Sequence, residues 1–223
     1  MTKRAYALDA LRGYAIITMV LSATVAWNSL PGWMYHAQTP PPDRAFDASL
    51  SGITWVDLVF PLFLFAMGAA FPFSIKKRFE KGDTKLRLVY EAIKRGAQLT
   101  FFAIFIQHFY PYMLSSPQDI RAWLLAILCF AVLFPMFMRI PLKMPDWVHI
   151  SIKVGAYIVA AIMLATTSYA DGKTFSLFSS NIIILLLANM AIFGSILYIF
   201  TMHNRWMRLG ILILLMAMIV GST

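Results

Sequence analysis

The sequence predicts an all-α protein, a polytopic membrane helix bundle of six full transmembrane helices and a short seventh. Three observations carry this. Of the 223 residues, 60% are hydrophobic and only 13% are charged, whereas an ordinary soluble domain carries about 25% charged residues. A water-soluble globule of this size cannot hide so much apolar surface, and a bilayer can. Apolar runs of helical length also recur along the chain, and basic residues gather between alternate runs.

The first run is Tyr14–Leu30, behind a basic start from Met1 to Gly13. It could pass for the apolar part of a signal peptide, but no A-x-A cleavage pattern follows and more spans do, so it is read as a retained helix. Trp55–Ile75, Ala97–Leu114, Ala122–Met138, Ile150–Thr166 and Asn181–Met202 complete the six. About 20 residues are needed to cross a hydrocarbon core of about 30 Å. The seventh run, Leu209–Val220, has 12 residues and reaches only about 18 Å as a helix. Residues 1–223 are expected to form a single transmembrane domain.

Lysine and arginine placement orients the bundle. With the N-terminus inside, inner segments hold Lys3, Arg4 and Arg12, the eight cations between Lys76 and Arg95, then Arg139, Lys143, Lys153, Arg205 and Arg208. Those are sixteen of nineteen, and only Arg44, Arg121 and Lys173 fall outside. A cytoplasmic N-terminus follows. The net charge of +9 therefore reads as topology. No interleaved Arg/aromatic patch speaks for nucleic acid. The basic stretch Lys76–Arg95 suits anionic lipid, or attraction of a polyphosphate ligand.

Asp57 stands at the start of the second run. A carboxylate that reached the centre of a membrane helix would cost about 2.5–3.5 kcal/mol, so it asks for a partner or a function. His36, in the outer loop Pro31–Ile53, can supply both. An unperturbed imidazole titrates near pH 6.5, which suits general-base or nucleophilic work. Asp57 could orient the ring, as carboxylates do in triads, or it could cap the helix; both readings stay open. Pro40-Pro41-Pro42 stiffens the loop, which also carries Trp33, Arg44 and Asp47. Folding that loop back should bring His36 and Asp57 within hydrogen-bond reach.

Other candidates are weaker. Asp9 and Arg12 share a helix face, as an ion pair or with Arg12 binding an anion. His108 and Gln107 end the third run beside Tyr110 and Tyr112, as expected of an interfacial belt. Asn189, amid leucines, is expected to hydrogen-bond a neighbouring helix. Cys129 is alone and reads as apolar filler. No metal-ligand spacing, P-loop or G-x-S-x-G occurs.

In order, the chain carries Leu8-Asp9-Ala10-Leu11-Arg12-Gly13, His36-Ala37, Gly52-Ile53-Thr54-Trp55-Val56-Asp57-Leu58-Val59-Phe60-Pro61 and Phe63-Leu64-Phe65-Ala66-Met67-Gly68. Lys94-Arg95-Gly96 and Ala188-Asn189-Met190-Ala191-Ile192-Phe193-Gly194-Ser195 follow. This series resembles the transmembrane acyltransferases related to heparan-alpha-glucosaminide N-acetyltransferase, above all their bacterial relatives grouped as DUF5009. The resemblance implies a multi-pass protein of the bacterial inner membrane. It would move an acetyl group from cytoplasmic acetyl-CoA to an amino or hydroxyl group of an extracytoplasmic sugar. It implies His36 and Asp57 as the catalytic pair, with His36 carrying the acetyl group or deprotonating the acceptor. Arg12, Lys94 and Arg95 are the candidates for holding acetyl-CoA, and Trp33, His108 and Asn189 for holding the sugar. No metal is implied, and a homodimer is a further expectation. Family members are longer, so the chain reads as their N-terminal part. The alternative is a non-enzymatic membrane component, either a transporter-like bundle or an inactive remnant.

Overall fold

The computed structural model describes residues 6–24, 29–40, 45–138, 145–172 and 174–221, and no β-strand occurs among them. Among the described residues, four stretches are long and apolar enough to cross a bilayer: Trp55–Glu80, Ile120–Phe137, Asp146–Thr166 and Ile182–Thr201. The protein is thus an α-helical integral membrane protein, and four of the six expected spans meet the requirement.

The remaining runs are helical but differ from expectation. Helix α1 (Tyr6–Thr24) begins with the charged turn that holds Asp9 and Arg12, and its sequel from Val25 to Asn28 lies outside the described residues. Helix α4 (Lys85–His108) starts twelve residues before the expected run. It carries Lys85, Arg87, Glu91, Lys94 and Arg95 in its first half, and those charges hold that part out of hydrocarbon. Helix α10 (Arg205–Gly221) has 17 residues, about 26 Å of helix, short of a full core.

The described chain forms two compact units, residues 1–92 with 192–223 and residues 93–191. In the first unit, α1 packs along α2 (Trp55–Ala69) through Ala15, Thr18, Val56, Val59 and Ala66, all buried. Alanines at such a seam let two backbones approach closely. The Thr18 hydroxyl returns its proton to Tyr14 O at 2.8 Å. The span beginning at Trp55 bends at Ala70, where α3 (Phe71–Glu80) takes over with Pro72 in its first turn. Pro72 has no N–H to continue the ladder, which accounts for the break. Ile75 of α3, Leu88 of α4 and Ile199 of α9 (Ser195–Thr201) form a small core.

In the second unit, Phe101 stacks on Phe105 along α4 with ring centroids 5.7 Å apart, and Phe109, just past the helix end, tilts against Phe105 at 5.0 Å. Against Phe105 and Phe109 lie Leu114 of α5 (Pro111–Leu114) and Cys129, Leu133 and Met136 of α6 (Ile120–Phe137). Ala156, Ala160 and Met163 of α7 (Asp146–Thr166) complete this core. Cys129 fills apolar space there as a free thiol. Asp119 caps α6 by accepting the Ala122 N–H at 2.8 Å, and Asn181 caps α8 (Ile182–Asn189) through Ile184 N–H at 3.2 Å. A π-helical turn, Met190–Gly194, joins α8 to α9.

Candidate functional site

The outer loop is built around Tyr35. After a 3₁₀ turn at Gly32–Met34, Tyr35 is buried and its hydroxyl accepts the Leu30 N–H at 3.1 Å. The next residue, His36, therefore leaves a fixed point, and the chain turns again as Thr39 N–H donates to His36 O at 3.0 Å. Further along, Gln38 ties the loop's two strands of chain together. Its O accepts the Asp47 N–H at 2.8 Å, and its Nε2 donates to Leu50 O and Gly52 O, both at 3.3 Å. Asp47 folds its own turn: the Ser49 hydroxyl at 2.6 Å and N–H at 2.9 Å hold its carboxyl below the usual carboxylate range. Gly52 has φ +144° and faces the Ala37 Cβ, a conformation that disfavours any side chain.

Thr54, in extended conformation, then starts α2 as its N-cap. The Thr-x-x-Asp spacing places Asp57 at the third helical position, where a carboxylate reaches back to the cap. Asp57 Oδ2 accepts the Thr54 N–H at 2.8 Å and the Ala37 N–H at 3.4 Å. The Thr54 hydroxyl lies 2.6 Å from Tyr35 O and 3.0 Å from Asp57 Oδ2, and gives its one proton to one of them at a time. The other carboxylate oxygen, Oδ1, accepts from His36 Nδ1. The expected pairing is therefore present. Capping and ring orientation, which the sequence leaves as alternatives, are both performed, one by each oxygen of the same carboxylate.

With Nδ1 donating to Asp57, the neutral ring carries its lone pair on Nε2. The His36 side chain is 55% exposed and that of Asp57 20%, so the carboxylate is shielded while the imidazole is open to a reactant. Trp33 is exposed three residues away. On α1, Arg12 reaches Ala66 O at 3.4 Å and Asp9 at 3.8 Å, which keeps the expected ion pair. Trp55 Nε1 donates to Tyr14 OH at 3.1 Å, a second tie between α1 and α2.

The other candidates lie elsewhere in the chain. Lys94 and Arg95 are exposed on α4, in the second unit. His108, expected at the membrane interface, is instead 1% exposed. Its Nδ1 donates to Ile104 O at 2.8 Å and its Nε2 accepts the Ser176 N–H at 3.2 Å, with Tyr169 and Phe175 against the ring. Both nitrogens are thus occupied, and the ring pins a loop 68 residues away. Among the described residues, Asn189 makes no hydrogen bond to another helix. Its Nδ2 donates to Leu185 O, one turn back, at 3.0 Å. Gln107 Nε2 does meet Tyr112 OH at 3.4 Å, beside the stacked Tyr110–Tyr112 pair. Arg44, Pro41 and Pro42 lie outside the described residues. No group of three His, Cys, Asp or Glu side chains suited to a metal ion occurs among the described residues.

Thr54 and Tyr35 are the residues that sequence reasoning missed. The Thr-x-x-Asp spacing is a readable capping signal for Thr54, whereas nothing local marks the Tyr35 carbonyl as its partner. In comparison with known proteins, the model of the family described as a domain of unknown function, DUF5009, matches residues 4–223. The chain belongs to that family. No curated protein and no solved structure matches it.

Proposed function

We propose that this DUF5009 protein is a membrane-bound acyltransferase that moves an acetyl group from acetyl-CoA to an amino or hydroxyl group of a sugar. The observation that supports this reading best is the His36–Asp57 pair, with Asp57 Oδ2 tied to the Thr54 N–H and Oδ1 left for the ring. Asp57 fixes the proton on Nδ1 and stabilises the imidazolium formed when Nε2 takes a proton. Nε2 either deprotonates the sugar hydroxyl or amine as it attacks the thioester carbonyl and expels the thiolate of CoA, which takes up the proton from the ring, or itself attacks that carbonyl. In the second route the thiolate of CoA leaves, and the acetyl-imidazole passes its acetyl group to the sugar. The resemblance to the acyltransferases related to heparan-alpha-glucosaminide N-acetyltransferase supports the same pair. Lys94 and Arg95 are exposed and suited to phosphates, whereas Arg12 has part of its guanidinium engaged by Ala66 and Asp9. Trp33, exposed three residues before His36, offers an apolar face for a sugar ring.

The positive-inside count supports a cytoplasmic N-terminus in a bacterial inner membrane, with His36 on the opposite side. Cysteines placed at Ala45 and Lys85 test this: a membrane-impermeant maleimide applied to intact cells should label only the first. Labelling of only the second reverses the orientation.

One observation favours a second reading, a non-enzymatic membrane component. The bonds from Thr54, Ala37 and His36 to Asp57 also suffice to clamp the loop onto α2. Purified protein incubated with radiolabelled acetyl-CoA and amino-sugar or neutral-sugar acceptors separates the two. The enzyme reading expects labelled sugar or protein, lost in His36→Ala. Consumption unchanged in that variant removes His36 from the chemistry, and no binding of acetyl-CoA favours the structural role.

A further inference from the structure

We propose that the α3–α4 and α9–α10 turns of the first unit together form a binding surface for acidic phospholipid headgroups. The two turns lie more than a hundred residues apart in sequence. They meet because α3 packs on α9, with Ile75, Ile199 and Leu88 of α4 in one small core, and Phe79 sits edge-on to His203 with centroids 5.9 Å apart.

The surface has an uneven ion balance. Asp83 is consumed by Arg78 at 2.9 Å and Arg87 at 3.2 Å, and Glu80 by Lys76 at 3.9 Å. Lys77, Lys81, Lys85, Arg205 and Arg208 have no carboxylate within ion-pair distance among the described residues. Glu91 is the one further acid on these elements, two turns into α4. The excess is cationic, and it has been brought together by folding.

The depth of these cations in the bilayer follows from their neighbours. Lys77 and Lys81 close the span Trp55–Glu80, and Arg205 and Arg208 open α10, whose exposed face is leucine, isoleucine and methionine. Trp206 is 70% exposed under the Arg205 guanidinium, 5.2 Å from its ring centroid, and Arg208 lies over Tyr198 at 5.5 Å. Exposed tryptophan with cations at the end of an apolar helix marks headgroup level. The span Trp55–Glu80 and the apolar helix α10 therefore present cations without carboxylate partners at the height where lipid phosphates lie, which is the charge complementarity that an acidic headgroup supplies.

The test uses the whole protein purified in detergent micelles supplied with equal amounts of phosphatidylglycerol and phosphatidylcholine, with co-purifying lipid measured by mass spectrometry. Phosphatidylglycerol should be enriched at least threefold over phosphatidylcholine. The enrichment should fall to near unity in K77Q/K81Q/R205Q/R208Q and persist in K77R/K81R/R205K/R208K. If the glutamine variant does not fold, wild-type protein at 1 M salt serves instead, where screening should erase the enrichment. Equal lipid ratios in the wild type overturn the proposal, as does enrichment unchanged in the glutamine variant. Displacement of the lipid by millimolar pyrophosphate would assign the surface to a soluble polyphosphate and overturn it as well.

Discussion

The Thr54 N–H donates to Asp57 Oδ2 at 2.8 Å, and this one bond decides which carboxylate oxygen is left for His36. Because the donor is the backbone amide of the residue that caps α2, the orientation of Asp57 is set at the helix start itself rather than by a flexible neighbour. The Thr54 hydroxyl adds the link to Tyr35 O at 2.6 Å, so loop and helix are fixed at one residue.

Thr54→Val keeps the N–H and removes the hydroxyl. It should cost about 1 kcal/mol, the usual scale for a lost cap residue, seen as a lower thermal midpoint in detergent. Thr54→Ser should restore it. A valine variant as stable as wild type would show that the Tyr35 tie contributes nothing.

Asp57→Asn tests ring orientation separately from folding. The amide can still cap α2, but it no longer stabilises an imidazolium or enforces the Nδ1 proton. Acetyl transfer should drop about 10²-fold or more, the range typical of lost acid–base assistance, while the midpoint moves little. A rate within twofold of wild type would leave His36 acting alone.

Gly52→Ala forces a Cβ into φ +144°, and backbone strain of that kind costs about 1–3 kcal/mol. Thermal unfolding should show that loss, and diethyl pyrocarbonate should modify His36 faster as the loop loosens. Unchanged stability would mean that the loop relaxes at no cost.

His108→Leu fills the same apolar space but leaves the Ser176 N–H without its acceptor. A buried donor left unpaired costs about 1–3 kcal/mol, measurable as a lower midpoint and faster amide exchange at Ser176. Exchange at the wild-type rate would contradict the latch.

Acid should act on α6 through Asp119. The Ala122 N–H, then the Ser115 hydroxyl, hold this carboxyl below the usual range. A depressed folded value gives a stabilising contribution that is complete above the unfolded pKa, near 3.9, and is lost as pH falls through the folded value. The stability gap between wild type and Asp119→Ala should be constant near neutrality and close only well below pH 4. A gap that closes above pH 5 would assign it to another group.

Much of this protein follows from order along the chain. Apolar composition and run length determine a helical membrane protein, because hydrocarbon admits only backbones that satisfy themselves. The spans from Trp55, Ile120, Asp146 and Ile182 coincide with runs that any reader can mark. The Asp57 carboxylate announces a partner by its cost, and His36 is the histidine in the loop just ahead of it. What sequence periodicity misplaces are contacts that no local pattern encodes. His108 looks interfacial until Tyr169 and Phe175 close over it. Asn189 looks like a bridge between helices, yet its amide finds a carbonyl one turn back. Whether Asp57 caps the helix or orients the His36 ring is likewise undecidable from spacing, because a carboxylate has two oxygens and can serve two donors at once. Tertiary structure gives each oxygen its own donor, Thr54 from the helix start and His36 from the loop. The physical reason is common to all three cases: a polar group takes the nearest well-aligned partner, and only the folded chain sets which partner is near.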